Sequence, residues 1–131
     1  MERFALLASA SLGFLAVALG AFGAHGLKAR LAPLADGAQR LEWWTTGAHY
    51  QAIHALALGL VAYLASRSSS TSVTVATFAF IAGVVLFSGS LFVMTLTGLR
   101  WLGAVTPLGG LAFLVGWASV FVAALTLPPR S

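Results

Sequence analysis

In a chain otherwise short of polar groups, a few side chains could do chemistry. His49, Gln51 and His54 lie close together, with Glu42 a little before them and His25 further upstream. Histidines suggest metal ligation or proton transfer. His49 and His54 are five residues apart, or about 140° around a helix of 3.6 residues per turn. They therefore cannot share a face as the i,i+4 pair of a helical zinc motif does. His25 could approach one of them across a hairpin, but no acidic residue accompanies them there. Glu42, Thr46 and His49 do fall on one helical face, and a Glu42–His49 proton relay is compatible with that spacing. The plainer account is structural: each histidine bonds to a backbone carbonyl or to a serine on a neighbouring segment. Tyr50 and His54, at i,i+4, share a face with Trp43 and Gly47 and read as interhelical packing with one hydrogen bond.

Hydroxyls form the second group. Ser88 and Ser90 flank Gly89 between Phe87 and Phe92. A serine nucleophile needs a base and an orienting group, and this stretch lacks the strand-to-helix elbow of hydrolases. Two readings remain: a polar notch lining a small cavity, or helix glue in which hydroxyls bond carbonyls while Gly89 permits close approach. Glue is the stronger. Thr106-Pro107, with Gly103, Gly109 and Gly110 around it, reads as a helix start, Thr106 as N-cap and Pro107 as first helical residue; the rival is a start at Trp101, which would put Pro107 inside the second turn. Such an end exposes N–H groups that could face an anion or a carbonyl; a plain capped start is the simpler account.

The elements that must position these residues follow from composition. Of 131 residues, 7 are Lys or Arg and 3 are Asp or Glu, and 60% are hydrophobic. An 8% charged fraction, against about 25% in soluble domains, excludes a water-soluble fold, and so much hydrophobicity excludes disorder. Uncharged stretches run over 4–27, 43–66, 68–99 and 101–129, each longer than the ~20 residues that cross ~30 Å of hydrocarbon. The spacing predicts an all-α integral membrane bundle, four antiparallel up-and-down transmembrane helices in one domain, at about 4–24, 41–65, 73–96 and 107–126. Arg3 before an apolar run, with Ala21-Phe22-Gly23, imitates a secretory leader. The run exceeds the usual h-region of about 7–15 residues and is read as the first span. Gly23, His25 and Gly26 should end that helix. The longer first loop, with Pro33 and Asp36-Gly37, carries Leu27, Leu31 and Leu34 at helical spacing, so it holds either a short interfacial helix or an ordered loop. Trp43 and Trp44 sit where an aromatic belt belongs.

Small residues supply the packing candidates, because lipid gives helices no hydrophobic drive to associate. Gly13, Ala16 and Gly20 recur along the first span, Gly83 and Gly89 lie in the third, and Gly110 and Gly116 in the fourth. Four spans put both termini on one side, with Arg3, Arg67 and Arg130 there and Lys28, Arg30, Arg40 and Arg100 opposite. With basic residues so evenly divided, the positive-inside rule favours neither orientation.

Three separated stretches carry a family resemblance: Gly20-Ala-Phe-Gly-Ala-His-Gly-Leu-Lys28, His49-Tyr-Gln-Ala-Ile-His-Ala-Leu-Ala-Leu58 and Phe87-Ser-Gly-Ser-Leu-Phe92. The third continues through Leu96-Thr-Gly98 into Leu102-Gly-Ala-Val-Thr-Pro-Leu-Gly-Gly110 and Phe113-Leu-Val-Gly-Trp117. Their order and spacing resemble the YgdD-like family of small bacterial inner-membrane proteins, domain of unknown function 423, whose eukaryotic relative is transmembrane protein 256. The resemblance implies four transmembrane helices, an inner-membrane location, no established biochemical activity and cytoplasmic termini. Family members tend to carry more basic residues in the second loop and tail; here Arg67 and Arg130 stand alone.

Function follows only coarsely. The basic residues are scattered, so nucleic acid is not a partner; the lipid bilayer is, with a homo-oligomer or another membrane protein as further candidates. There is no cysteine, and no cofactor is implied. The leading expectation is a non-enzymatic protein acting through helix packing as a subunit, scaffold or assembly partner. The alternative is a small oligomeric transporter or channel for an ion or small polar solute, motivated by the polar residues but lacking an intramembrane carboxylate. A membrane enzyme is the weakest reading.

Overall fold

The computed structural model describes residues 1–129. Four long apolar helices pack antiparallel: α1 (Glu2–Leu31), α2 (Gly37–Arg67), α3 (Thr71–Thr97) and α4 (Arg100–Leu125). At ~1.5 Å per residue, even α4, 26 residues long, reaches about 39 Å and can cross the bilayer. The start of α1 and the end of α4 lie at one end of the bundle, where Arg67 Nη2 donates to the Pro128 carbonyl at 3.0 Å. Arg130 lies outside the described residues.

Helix α1 does not stop at Ala24. It passes through a π-helical turn at Gly23–Leu27 and regains α geometry over Lys28–Leu31. The glycines expected to break it instead sit in helical dihedrals, Gly23 at φ −61° and ψ −42°. Gly23 is buried under Trp44, where a β-carbon would collide with the indole ring. Leu27 and Leu31 are buried against Trp44 in a small satellite core. The first connection is therefore neither a separate interfacial helix nor a long loop: the helix simply runs on, and a short turn leads into α2. That helix opens at Gly37 rather than near Leu41.

A charged clasp at this end fixes the turn. The Asp36 carboxylate accepts from Arg40 Nε at 3.0 Å and Arg100 Nη2 at 3.3 Å, so it is not used to cap α2. Arg100 also reaches Gln39 and lies over the Trp43 ring at 5.2 Å. Below it, the Thr95 hydroxyl is shared between the Leu91 carbonyl of its own helix at 2.8 Å and the Arg40 carbonyl at 3.0 Å, and α3 ends at Gly98, whose φ of +73° suits a glycine cap. The hydrogen bond from Arg40, followed by its charge, holds the Asp36 carboxyl below the ordinary 3.8.

Helix α4 opens differently from the sequence expectation. A 3-10 turn over Arg100–Ala104 leads into the α-helix, which starts at Thr106 after an N-cap at Val105 with no side-chain cap. Pro107 is thus the second helical residue, where its missing N–H still costs no intrahelical bond. Thr106 is not the cap; its hydroxyl is taken by Ser90 at 2.6 Å.

The helices are unequally buried. In the apolar stretch of α2, 50% of residues are buried, against 11% in α1. Helix α1 packs chiefly on α2, α3 and α4 pack on each other, and α2 joins the pairs. The main core combines Leu58, Val61 and Leu64 of α2, Val73 and Phe80 of α3, and Phe113 and Val120 of α4. Helices α3 and α4 touch closely because each lacks a β-carbon at the crossing. A β-carbon at Gly83 would overlap the Phe113 ring, one at Gly116 the Phe80 ring, and one at Gly109 the main chain of Phe87. Gly13 makes only ordinary contact with Ala55, while at Gly20, Gly89 and Gly110 nothing lies within 4 Å. The close approach to α2 sits at Gly23, one turn further along α1 than Gly20.

Candidate functional site

The polar residues of α2 point in three directions because successive residues turn by about 100°. Gln51 is buried toward α1 and donates from Nε2 to the Leu12 carbonyl at 2.9 Å. His54 is buried toward α3 and α4. His49 faces outward between α1 and α4.

His54 is the centre of a ring cluster. Its imidazole stacks on Phe113 with centroids 3.5 Å apart and planes 4° from parallel. Phe80 lies 5.5 Å away on α3, and Tyr50 and Trp117 stand at 6.2 Å. Both ring nitrogens are occupied. Trp117 Nε1–H donates to Nε2 at 3.2 Å, which makes Nε2 an acceptor because indole nitrogen can only donate. The proton then sits on Nδ1 and is donated to the Tyr50 carbonyl at 2.7 Å. The imidazole is neutral, with one tautomer set by its partners.

The serines act separately. Ser88 Oγ donates to the Gly47 carbonyl at 2.7 Å, joining α3 to α2. Ser90 Oγ pairs with Thr106 Oγ1 at 2.6 Å, joining α3 to α4, and also reaches the Phe87 carbonyl. Ser88 ends a second π-helical turn, Val84–Ser88. Gly109 presses against that turn, and Phe87 within it packs tilted against the Tyr50 ring at 4.5 Å.

Several candidates are not brought together. His25 is exposed on the α1 π-turn, and no hydrogen bond or ion pair joins Glu42 to His49, both exposed. Among the described residues no three His, Asp or Glu side chains gather as a metal would require. Two open grooves flank His49. One, of about 460 Å³, lies between α1 and α2 and includes Gly20, Lys28 and Trp44. The other, of about 430 Å³, lies between α2 and α4 and includes Tyr50, His54, Gly110, Phe113 and Trp117.

A family described as "Protein of unknown function (DUF423)" matches residues 19–110, the stretch that holds the π-turns, the histidines and, from the α3–α4 crossing, Gly83 and Gly109. The chain belongs to the DUF423 family. The UPF0382 membrane protein YwdK of Bacillus subtilis is 45% identical over 126 residues, covering 95% of this chain and 98% of the relative. The UPF0382 inner membrane protein YgdD of Escherichia coli K12 is 45% identical over 127 residues, covering 96% and 92%. The UPF0382 membrane protein SAB0533 of Staphylococcus aureus is 37% identical over 123 residues, covering 94% and 95%. No solved structure matches significantly. With four apolar helices and these relatives, the DUF423 chain is a multi-pass protein of the cell's inner membrane.

Some positioning residues of this DUF423 chain escape sequence reasoning. Trp44 is buried, not a belt residue, and its Nε1 donates to the Leu19 carbonyl at 2.8 Å. Adjacent tryptophans point about 100° apart, so Trp43 and Trp44 meet different surroundings, but the spacing does not say that either packs inward. Ser9, bonded to the Ala55 carbonyl at 2.7 Å, looks like any small residue in an apolar run. Trp117 carries no mark of its pairing with His54, since 63 residues separate them.

Proposed function

We propose that this protein works through helix packing, as a subunit, scaffold or assembly partner within the membrane. One observation carries the reading: every buried side-chain nitrogen and oxygen among the described residues has a hydrogen-bond partner inside the chain. Gln51 is spent on α1, Ser88 on α2, Ser90 on α4 and His54 on Trp117 and its own helix. A permeating ion or polar solute needs groups that line a path and are free to replace its water. These four instead serve separate contacts between helices, as polar side chains in membranes commonly do. The reading is non-enzymatic, because the serine hydroxyls are held by a carbonyl and a threonine rather than by a general base.

Two measurements test it. Extraction from the native membrane in polymer-bounded lipid discs should yield the chain with a stoichiometric membrane partner or a second copy. Recovery as a lone monomer at every concentration would refute the proposal. In proteoliposomes, wild type and His54→Ala should show the same background flux of protons, potassium and small polar solutes. Flux that depends on His54 would establish the transport alternative.

A further inference from the structure

The groove between α2 and α4 goes beyond the packing reading, because it contains the polar groups that packing leaves over. Among the described residues no hydrogen bond reaches the His49 ring or the Tyr50 hydroxyl. Helix α2 spans Gly37–Arg67, so its midpoint is Ala52. His49 and Tyr50 lie three and two residues from it, about 4.5 and 3 Å along the axis. A hydrocarbon layer ~30 Å thick centred on this helix has both groups near its mid-plane, where lipid tails offer no partner and unpaired polar groups are costly. Both side chains line or border the same open space, about 430 Å³ walled by rings of Tyr50, Phe87, Phe113 and Trp117. At Gly110 the wall is cut back, with nothing within 4 Å of where a side chain would begin.

The geometry points to a binding site for a flat, lipid-soluble ring that carries carbonyl groups, the chemistry of an isoprenoid quinone. The ring slides over Gly110 against the aromatic wall, and its carbonyls accept from His49 and Tyr50. The choice of class follows from where the ligand must live. A molecule resident at mid-bilayer carries no charge and few unpaired donors, while a carbonyl is an acceptor that hydrocarbon tolerates comparatively well. The two free groups on the protein can both donate. A saturated acyl chain would fill the space but leave both unpaired. A second copy of the chain is the competing occupant, and the test separates it.

The test titrates decylubiquinone into wild-type protein in phosphatidylcholine nanodiscs and follows tryptophan emission, Trp117 lying in the groove wall. A saturable component is expected above the linear quenching caused by partition into lipid. His49→Leu and Tyr50→Phe each raise the half-saturating concentration about tenfold, the scale of one lost hydrogen bond. Gly110→Leu, which fills the notch, removes the saturable component. Decylbenzene, a ring without carbonyls, competes at least about tenfold more weakly. Unchanged melting temperatures show that the variants remain folded. Linear quenching alike in wild type and Gly110→Leu overturns the proposal, as does saturable quenching indifferent to His49→Leu and Tyr50→Phe. Spontaneous disulfide-linked dimers of His49→Cys, in a chain with no other cysteine, together with no saturable quenching of wild type, would overturn it by giving the groove to a second copy.

Discussion

Replacing Gly109 with alanine should destabilise the protein, whereas the same change at Gly20 should not. At Gly109 an added β-carbon would stand 2.7 Å from the Phe87 Cα, and ordinary contact begins at 3.4 Å. The α3–α4 crossing must therefore open by at least 0.7 Å, the difference between those two distances. The obstructing atoms are main chain, inside the Val84–Ser88 π-turn, so no rotamer change relieves them. Overpacking of this kind costs about 1–3 kcal/mol. At Gly20 nothing lies within 4 Å, and alanine gains up to ~1 kcal/mol of helix propensity. Much of that gain is common to the two sites, so the gap between the variants, about 1–3 kcal/mol, isolates the collision. Reversible unfolding in mixed micelles, titrated with dodecyl sulfate and followed by circular dichroism, measures it. Phe87→Leu should not rescue Gly109→Ala, because it leaves the colliding main chain in place. Equal stabilities for Gly20→Ala and Gly109→Ala, or greater damage at Gly20, would refute the close-approach reasoning.

Two further outcomes follow from the hydrogen bonds. A double-mutant cycle with His54→Phe and Trp117→Phe should give a coupling of about 0.6 kcal/mol, the average found for polar pairs in membranes; zero coupling would show that the 3.2 Å contact carries no energy. The Asp36 clasp should make stability sensitive to acid. Its carboxyl is held below 3.8 by Arg40, so the contribution is fully present above that value and disappears as pH falls through the lower folded one. Melting temperature scanned from about pH 6 to about pH 2 should decline at the acid end in wild type and lose that component in Asp36→Asn. An unchanged acid limb in Asp36→Asn would remove the clasp from the account.

The four spans were legible because charge marks where the chain leaves lipid: Glu2 and Arg3, the Lys28–Glu42 segment, Arg67 and Arg100 bracket the apolar runs. Which face of each helix turns inward was far less legible. In a soluble helix the polar face announces itself, but these helices are apolar all round, and lipid accepts the outer face as readily as the core accepts the inner. That is why Trp44 resembles an interface anchor in the sequence, and why Gly20 suggests the contact that Gly23 makes. The rotation between His49 and His54 is fixed by spacing alone, so their facing different surroundings was readable, and the depth of His54 in the apolar run pointed it toward the other helices. The π-turns had no signature. Each widens the helix locally for a neighbour's benefit, Trp44 at the first and Gly109 at the second, and both neighbours are remote in sequence.

Four bonds that hold the bundle together share a feature: Ser9, Trp44, Gln51 and Ser88 all donate to main-chain carbonyls, those of Ala55, Leu19, Leu12 and Gly47. A carbonyl is supplied by any amino acid, whatever side chain it bears. The specification of each link is therefore one-sided. Drift at Leu12, Leu19 or Ala55 leaves the acceptor in place and is limited only by bulk, whereas loss of the donor breaks the link with no substitution opposite able to restore it. A lineage carrying this fold can rewrite most of its lipid-facing letters and keep its shape, provided a few donors stay where they are.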